Sequence, residues 1–199
     1  IKITNDDGGN LMFKEEFNKV AGAASAKNQL LKNNKLGYFI SSMLAGIYVG
    51  MAIMLIFTIG GLLTAAGSAA TKIIMGISFG GALSLVVFAG SELFTGNNFI
   101  MTVGSLNKAV SWIDTIKVWV AAFIGNLAGS ILAGYMFYLT GLAKGTVGEF
   151  IANTAATKMS LPASELFFRG VFCNILVCLA VWCTFRCKDD ISKLVMIFW

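Results

Sequence analysis

Residues 37–63 contain no charged side chain, and this stretch restricts the possible folds more than any other feature. Roughly 20 apolar residues in a helix cross the hydrocarbon core of a bilayer. Three further runs repeat the pattern: 73–103 with one charge, Glu92; 118–141; and 166–185 with one charge, Arg169. Only 13% of the chain is charged and 57% is hydrophobic, against about 25% charged in soluble domains. The fold class expected is therefore an all-α integral membrane protein. Ser192 to Trp199 reads as the start of a fifth span. The sequence stops inside that apolar run, which reads as a truncation.

Several function classes fall away on composition. There is no histidine among the 199 residues, which removes the commonest metal ligand and general base. The only acid deep in a span is Glu92, so no set of nucleophile, base and metal is expected in the membrane, and the chain is not read as an enzyme. Cys173, Cys178, Cys183 and Cys187 lack Cys-x-x-Cys spacing and read as small buried apolar residues; no metal site and no cofactor is expected. The net charge of +5 comes from basic residues flanking apolar runs, which argues against nucleic acid as a partner.

Those flanks set the expected orientation. Lys14, Lys19, Lys27, Lys32 and Lys35 precede the first span, Lys108 and Lys117 lie between the second and third, and Arg186, Lys188 and Lys193 follow the fourth. The alternate loops hold Lys72, Lys144 and Lys158. The positive-inside bias predicts a cytoplasmic N-terminus, with Lys158 outside. The polar start from Lys2 to Asp7 is not expected to be a cleavable signal. Residues 11–35 read as an amphipathic helix carrying Leu11, Phe13, Phe17, Val20, Leu30 and Leu31. It fits either an anionic membrane surface or the side of a neighbouring span or subunit. The chain divides into a cytoplasmic N-terminal segment, 1–35, and a transmembrane domain, 36–199.

Three glycine pairs one turn apart, Gly46/Gly50, Gly76/Gly80 and Gly125/Gly129, predict close helix packing. The second span is too polar in its middle, where Gly90-Ser91-Glu92-Leu93-Phe94-Thr95-Gly96-Asn97-Asn98 interrupts the apolar pattern. A carboxylate and two amides at membrane depth are costly against lipid. Irregular backbone is tolerated there only beside protein or a water-filled cavity. The segment is expected to break the helix and offer N–H groups to an anion, though a long span running into a polar loop has the same composition. Lys158 fits a funnel that attracts anions or an ordinary loop. Asn174 fits a pore or a helix–helix hydrogen bond.

Gly90 to Gly96 as GSELFTG, Gly125-Asn126-Leu127-Ala128-Gly129, and Cys173 to Trp182 as CNILVCLAVW occur in order. With Asn34-Lys35-Leu36-Gly37, Ser41-Ser42, Ala45-Gly46 and Tyr48-Val49-Gly50, they resemble the formate/nitrite transporter family from about residue 15 to the end. The resemblance implies an aquaporin-like bundle of six helices built as an inverted three-helix repeat. Four of these and the start of a fifth are visible here. It also implies a homo-pentamer with one pore per subunit, in lipid, in the inner membrane of a bacterial cell. It implies that Phe79 and Leu83 line a cytoplasmic constriction, that Phe94 forms part of the outer one, and that Thr95 lines the chamber between. Lys158 and Asn174 fall where the family has a vestibule lysine and a pore asparagine. The family's Glu-His-Ser-Ile-Ala-Asn stretch, with its central histidine, is not present in this sequence. The implied substrates are small monovalent anions such as nitrite, hydrosulfide and formate, passed across the membrane with proton linkage; GSELFTG is closer to the nitrite and hydrosulfide branches. Rival expectations are a neutral-solute channel, although the only proline, Pro162, lies outside any Asn-Pro-Ala box, and a scaffold without a pore.

Overall fold

The computed structural model describes residues 13–199. The polar start from Lys2 to Asp7, and Leu11 of the amphipathic segment, lie outside them. The helices are α1 (Lys14–Asn33), α2 (Lys35–Ala65), α3 (Thr71–Phe88), α4 (Phe94–Leu106), α5 (Trp112–Leu139), α6 (Gly145–Met159), α7 (Ala163–Arg186) and α8 (Asp190–Phe198). Of these, α2, α3, α5 and α7 are each long and apolar enough to cross a membrane.

Helix starts follow local chemistry. The Asn34 side chain accepts from the Gly37 amide at 2.8 Å to open α2, and Ser111 accepts from the Asp114 amide at 3.1 Å to open α5. Asp189 caps α8 by accepting from the Ser192 amide and hydroxyl. Those two bonds hold the Asp189 carboxyl below its ordinary value.

The frame of the bundle is the parallel pair α2 and α5, the most extensive helix contact among the described residues, with Ser42 beside Asn126, Gly46 beside Ser130 and Gly50 beside Ala133. The expected glycine seam is there. A Cβ on Gly46 would collide with the Asn126 carbonyl, one on Gly129 with the Met43 carbonyl, and one on Gly125 with the Ser42 side chain. Two of the three expected pairs thus bring backbones together. The third does not: Gly80 lies against the Phe198 ring, a side chain, and a Cβ on Gly76 would meet none of the described residues. Gly129→Ala is therefore expected to destabilise by roughly 1–3 kcal/mol, as overpacking does, while Gly76→Ala leaves the detergent-solubilised unfolding temperature unchanged or slightly raised, since alanine is the better helix former. Equal shifts for the two would contradict this packing.

Two elements differ from what the sequence suggests. The amphipathic helix α1 buries Val20, Ala21 and Ala24 within the protein, with Ala24 against Gly104 of α4. Of its two possible placements it takes the packed one. The segment before α7, read as a loop, contains α6. This helix sits on the C-terminal end of α2, where Gly61 abuts Val147 and the Phe57 and Phe150 rings meet edge-on at 6.0 Å. The cysteines are also less buried than expected: Cys173 is exposed, the other three are partly exposed, and all four are free. The main core joins α1, α2, α4, α5 and α7 around Val20, Tyr38, Met101, Val118 and Val181. Much of the remaining apolar surface faces outward, including Leu127, Ile131 and Leu176, as lipid-facing or partner-facing helices require.

Candidate pore site

The second span is broken, as its sequence suggests. Helix α3 ends at Phe88 and α4 begins at Phe94. Gly90 takes φ 76, a left-handed conformation that glycine adopts without steric cost, and Leu93 is extended before α4. Residues in such a break must satisfy their backbone internally if the region is surrounded by lipid. One side chain does most of this. Asn126 of α5 accepts from the Phe94 amide at 2.9 Å and donates to the carbonyls of Ser42 at 2.8 Å and Glu92 at 2.9 Å. The Glu92 amide adds a bond to the Ser41 carbonyl at 3.3 Å. The Ser91 hydroxyl oxygen is buried without a partner among the described residues.

Glu92 is not presented to an aqueous path. Both its oxygens accept from Lys27 of α1 at 2.8 Å, and one also accepts from the Asn97 amide at 3.0 Å. The same Asn97 nitrogen donates to the Tyr38 hydroxyl at 3.0 Å, and the Trp119 indole donates to the Asn97 carbonyl at 3.1 Å. The Lys27 and Glu92 side chains are only 17% and 11% exposed. The charge that looked costly is neutralised within the protein, and the break is joined to the amphipathic helix. Neither Lys27 nor Asn126 stood out by residue type alone; Asn126 carried a signal only as the polar residue between two packing glycines.

The residues picked from the sequence fall into two groups. Phe94 and Thr95 open α4. The Phe94 ring meets Phe123 of α5 edge-on at 5.5 Å. Thr95 is half-buried, and its carbonyl receives the Cys178 thiol of α7 at 3.7 Å. The amides of Thr95 and Gly96 have no hydrogen-bond partner among the described residues, and they lie at the positive end of the half-helix. Across from α4, Asn174 accepts from the Asn98 amide at 3.1 Å and donates to the Gly170 carbonyl at 3.0 Å. Asn174 lines an open cavity of about 530 Å³ with Phe17, Phe99, Cys178 and Trp182. Thr95, one turn before Phe99, does not line it.

The second group lies on the far side of the break. Phe79 is exposed on α3, and Leu83 is half-buried against the core. Lys158 sits in the last turn of α6, exposed and without an ion-pair partner among the described residues. Here chain direction corrects the expectation. At Gly60 the end of α2, Met75 at the start of α3 and Phe150 of α6 come together, so α3 runs from the α6 end of the bundle toward the break. Phe79 and Leu83 therefore stand on the same side of the break as Lys158, and Phe94 follows it. A cytoplasmic constriction at Phe79 and Leu83 with an outer vestibule at Lys158 is incompatible with this course.

Comparison with known proteins agrees with the architecture. The family model described as formate/nitrite transporter matches residues 14–199. A relative described as nitrite transporter NirC, from Escherichia coli (strain K12), is 39% identical over 193 residues, covering 94% of this chain and 69% of its own. An uncharacterized transporter, YwcJ, from Bacillus subtilis (strain 168) is 36% identical over 184 residues, covering 92% of this chain and 72% of its own. Among solved structures, one titled FNT family ion channel aligns with TM-score 0.87 at 37% identity, over 94% of this chain and 74% of that one. A pentameric formate channel with formate bound aligns with TM-score 0.73 at 29% identity, over 84% and 66%.

Proposed function

This chain belongs to the formate/nitrite transporter family, and from that premise we propose that it passes small monovalent anions, nitrite and formate among them, across a bacterial inner membrane. The observation that carries the proposal is the interrupted second span. Its second half-helix begins with the unpartnered amides of Thr95 and Gly96, and such a terminus favours negative charge. The buried carboxylate beside it is already neutralised by Lys27, so it does not repel an arriving anion.

In this reading Lys158 raises the local anion concentration at one mouth. Phe79 and Leu83 narrow the path between that mouth and the break, and Phe94 narrows it at the break itself. Thr95 and the half-helix amides replace part of the lost hydration, while Asn174, oriented by Asn98, supplies a polar contact further on. Stripping water from a lone charge costs several kcal/mol, so uptake of a proton by the anion is the natural means of lowering the barrier at the phenyl rings. Hydrosulfide, of similar size and charge, is a further substrate under this proposal. The complete assembly is a homo-pentamer of six-helix, aquaporin-like subunits, each with its own pore. Residues 1–35 form a cytoplasmic segment preceding a channel domain that begins at residue 36, an orientation supported by the basic flanks.

The test is anion flux in proteoliposomes, with nitrite, formate and hydrosulfide compared at two pH values. Lys158→Ala is expected to reduce flux about tenfold at subsaturating anion, the lower end of what a focusing charge does to local concentration. Flux at saturation should be preserved. Unaltered flux at low anion concentration would remove Lys158 from the path.

A further inference from the structure

The turn between α4 and α5 contains a residue unsuited to its backbone. Lys108 takes φ 59 immediately after Asn107, the C-cap of α4. The turn closes the helix with the Lys108 amide on the Ser105 carbonyl at 3.0 Å and the Ala109 amide on the Gly104 carbonyl at 2.9 Å. Glycine is the usual occupant of this left-handed position, because a Cβ is strained there. None of these backbone bonds needs a lysine side chain. Strain retained at such a position points to a use for the side chain.

The surroundings indicate which use. Lys108 borders an open cavity of about 800 Å³, together with Asn28, Lys32, Ser111, Trp112 and Asp114. Lys32 is bonded to Asp114 at 3.1 Å, which balances that carboxylate. The exposed Lys108 ammonium has no partner among the described residues. The cavity therefore carries an unbalanced positive charge. Trp112 is the first residue of a membrane-spanning helix and is 50% exposed, the placement of an interfacial anchor. Leu106 and Ile113, both well exposed, extend the apolar surface from the same turn.

We propose that this cavity binds the headgroup of an anionic phospholipid, its phosphate held by Lys108 and Lys32 and its acyl chains lying along Leu106 and Ile113. The excess positive charge selects an anionic headgroup over a zwitterionic one, whose own cation would face Lys108. The apolar residues beside the cavity distinguish a lipid from a soluble phosphate. This site lies apart from the broken helix and does not depend on which anion is transported.

Thermal unfolding of the purified full-length protein in detergent tests the proposal, with dioleoyl phosphatidylglycerol, dioleoyl phosphatidylcholine or sn-glycerol 3-phosphate added. Only phosphatidylglycerol is expected to raise Tm. Lys108→Gly should fold with an equal or higher Tm in the absence of lipid. It should need about fivefold more phosphatidylglycerol for the half-maximal shift, the factor expected for one basic residue near an anionic surface. Lys108→Asn, which tolerates the left-handed turn, should behave alike, whereas Lys188→Gln should respond as the unmodified protein does. A full phosphatidylglycerol response in Lys108→Gly overturns the proposal. So does an equal response to phosphatidylcholine, a shift with glycerol phosphate alone, or an equal loss in Lys188→Gln, which would mark bulk charge.

Discussion

Lys27→Met is expected to destabilise the protein by about 3 kcal/mol or more, because it leaves the Glu92 carboxylate buried without its counter-charge. Lys27 contacts both carboxylate oxygens at 2.8 Å, and only the Asn97 amide would remain. Water cannot readily replace the ammonium, since the Glu92 side chain is 11% exposed. Thermal unfolding in detergent, read by fluorescence-detected size exclusion, measures the loss. The paired variant Lys27→Met with Glu92→Gln should recover most of it, because the neutral amide still accepts from Asn97 and no charge is stranded. If Lys27→Met unfolded at the temperature of the unmodified protein, the pair would not be holding α1 to the break. Failure of the double variant to recover would show that the hydrogen bonds of the ammonium, not the balance of charge, supply the stability, since methionine keeps the length of the stem.

Asn126→Leu should have the second large effect. Leucine matches asparagine in length and suits a membrane helix, so packing on α5 is little changed. What is lost is the bond to the Phe94 amide and those to the Ser42 and Glu92 carbonyls. At about 1 kcal/mol net each, the expected cost is about 3 kcal/mol, and anion flux should fall with it because the start of α4 is no longer fixed. Asn126→Asp keeps the acceptor for Phe94 but loses both donations, so it should be impaired as well. Full flux and stability in Asn126→Leu would show that the break does not need this clamp.

The spans were legible because lipid imposes a length and excludes charge, so residues 37–63 and 118–141 announce themselves. The break was legible because Gly90 and the polar residues after it violate that rule within one span. Its partners were not. Lys27 and Glu92 are 65 residues apart, and nothing in periodicity pairs an amphipathic-helix lysine with one particular acid. The α6 helix escaped notice because Gly145–Met159 mixes small and polar residues without a wide apolar face, and it is held instead by contacts at Gly61 and Phe57. The side on which Phe79 and Leu83 stand came out wrong because a resemblance transfers residues but not direction; following α3 from its contact with α6 corrects it. Gly76 illustrates a limit of motif reading: its spacing from Gly80 matches a packing motif, yet none of the described residues packs against the position its Cβ would take.

The glycine seam between α2 and α5 has a mechanical consequence. Where Gly46 and Gly129 press directly on opposing carbonyls, there are no rotamers to exchange and hence no second arrangement of comparable energy. The two helices act as one strut. Any motion that accompanies transport must then be carried by the elements joined through side chains, α1, α4 and α7. There the rings of Phe17, Phe99 and Trp182 touch and can re-seat without forcing backbones apart.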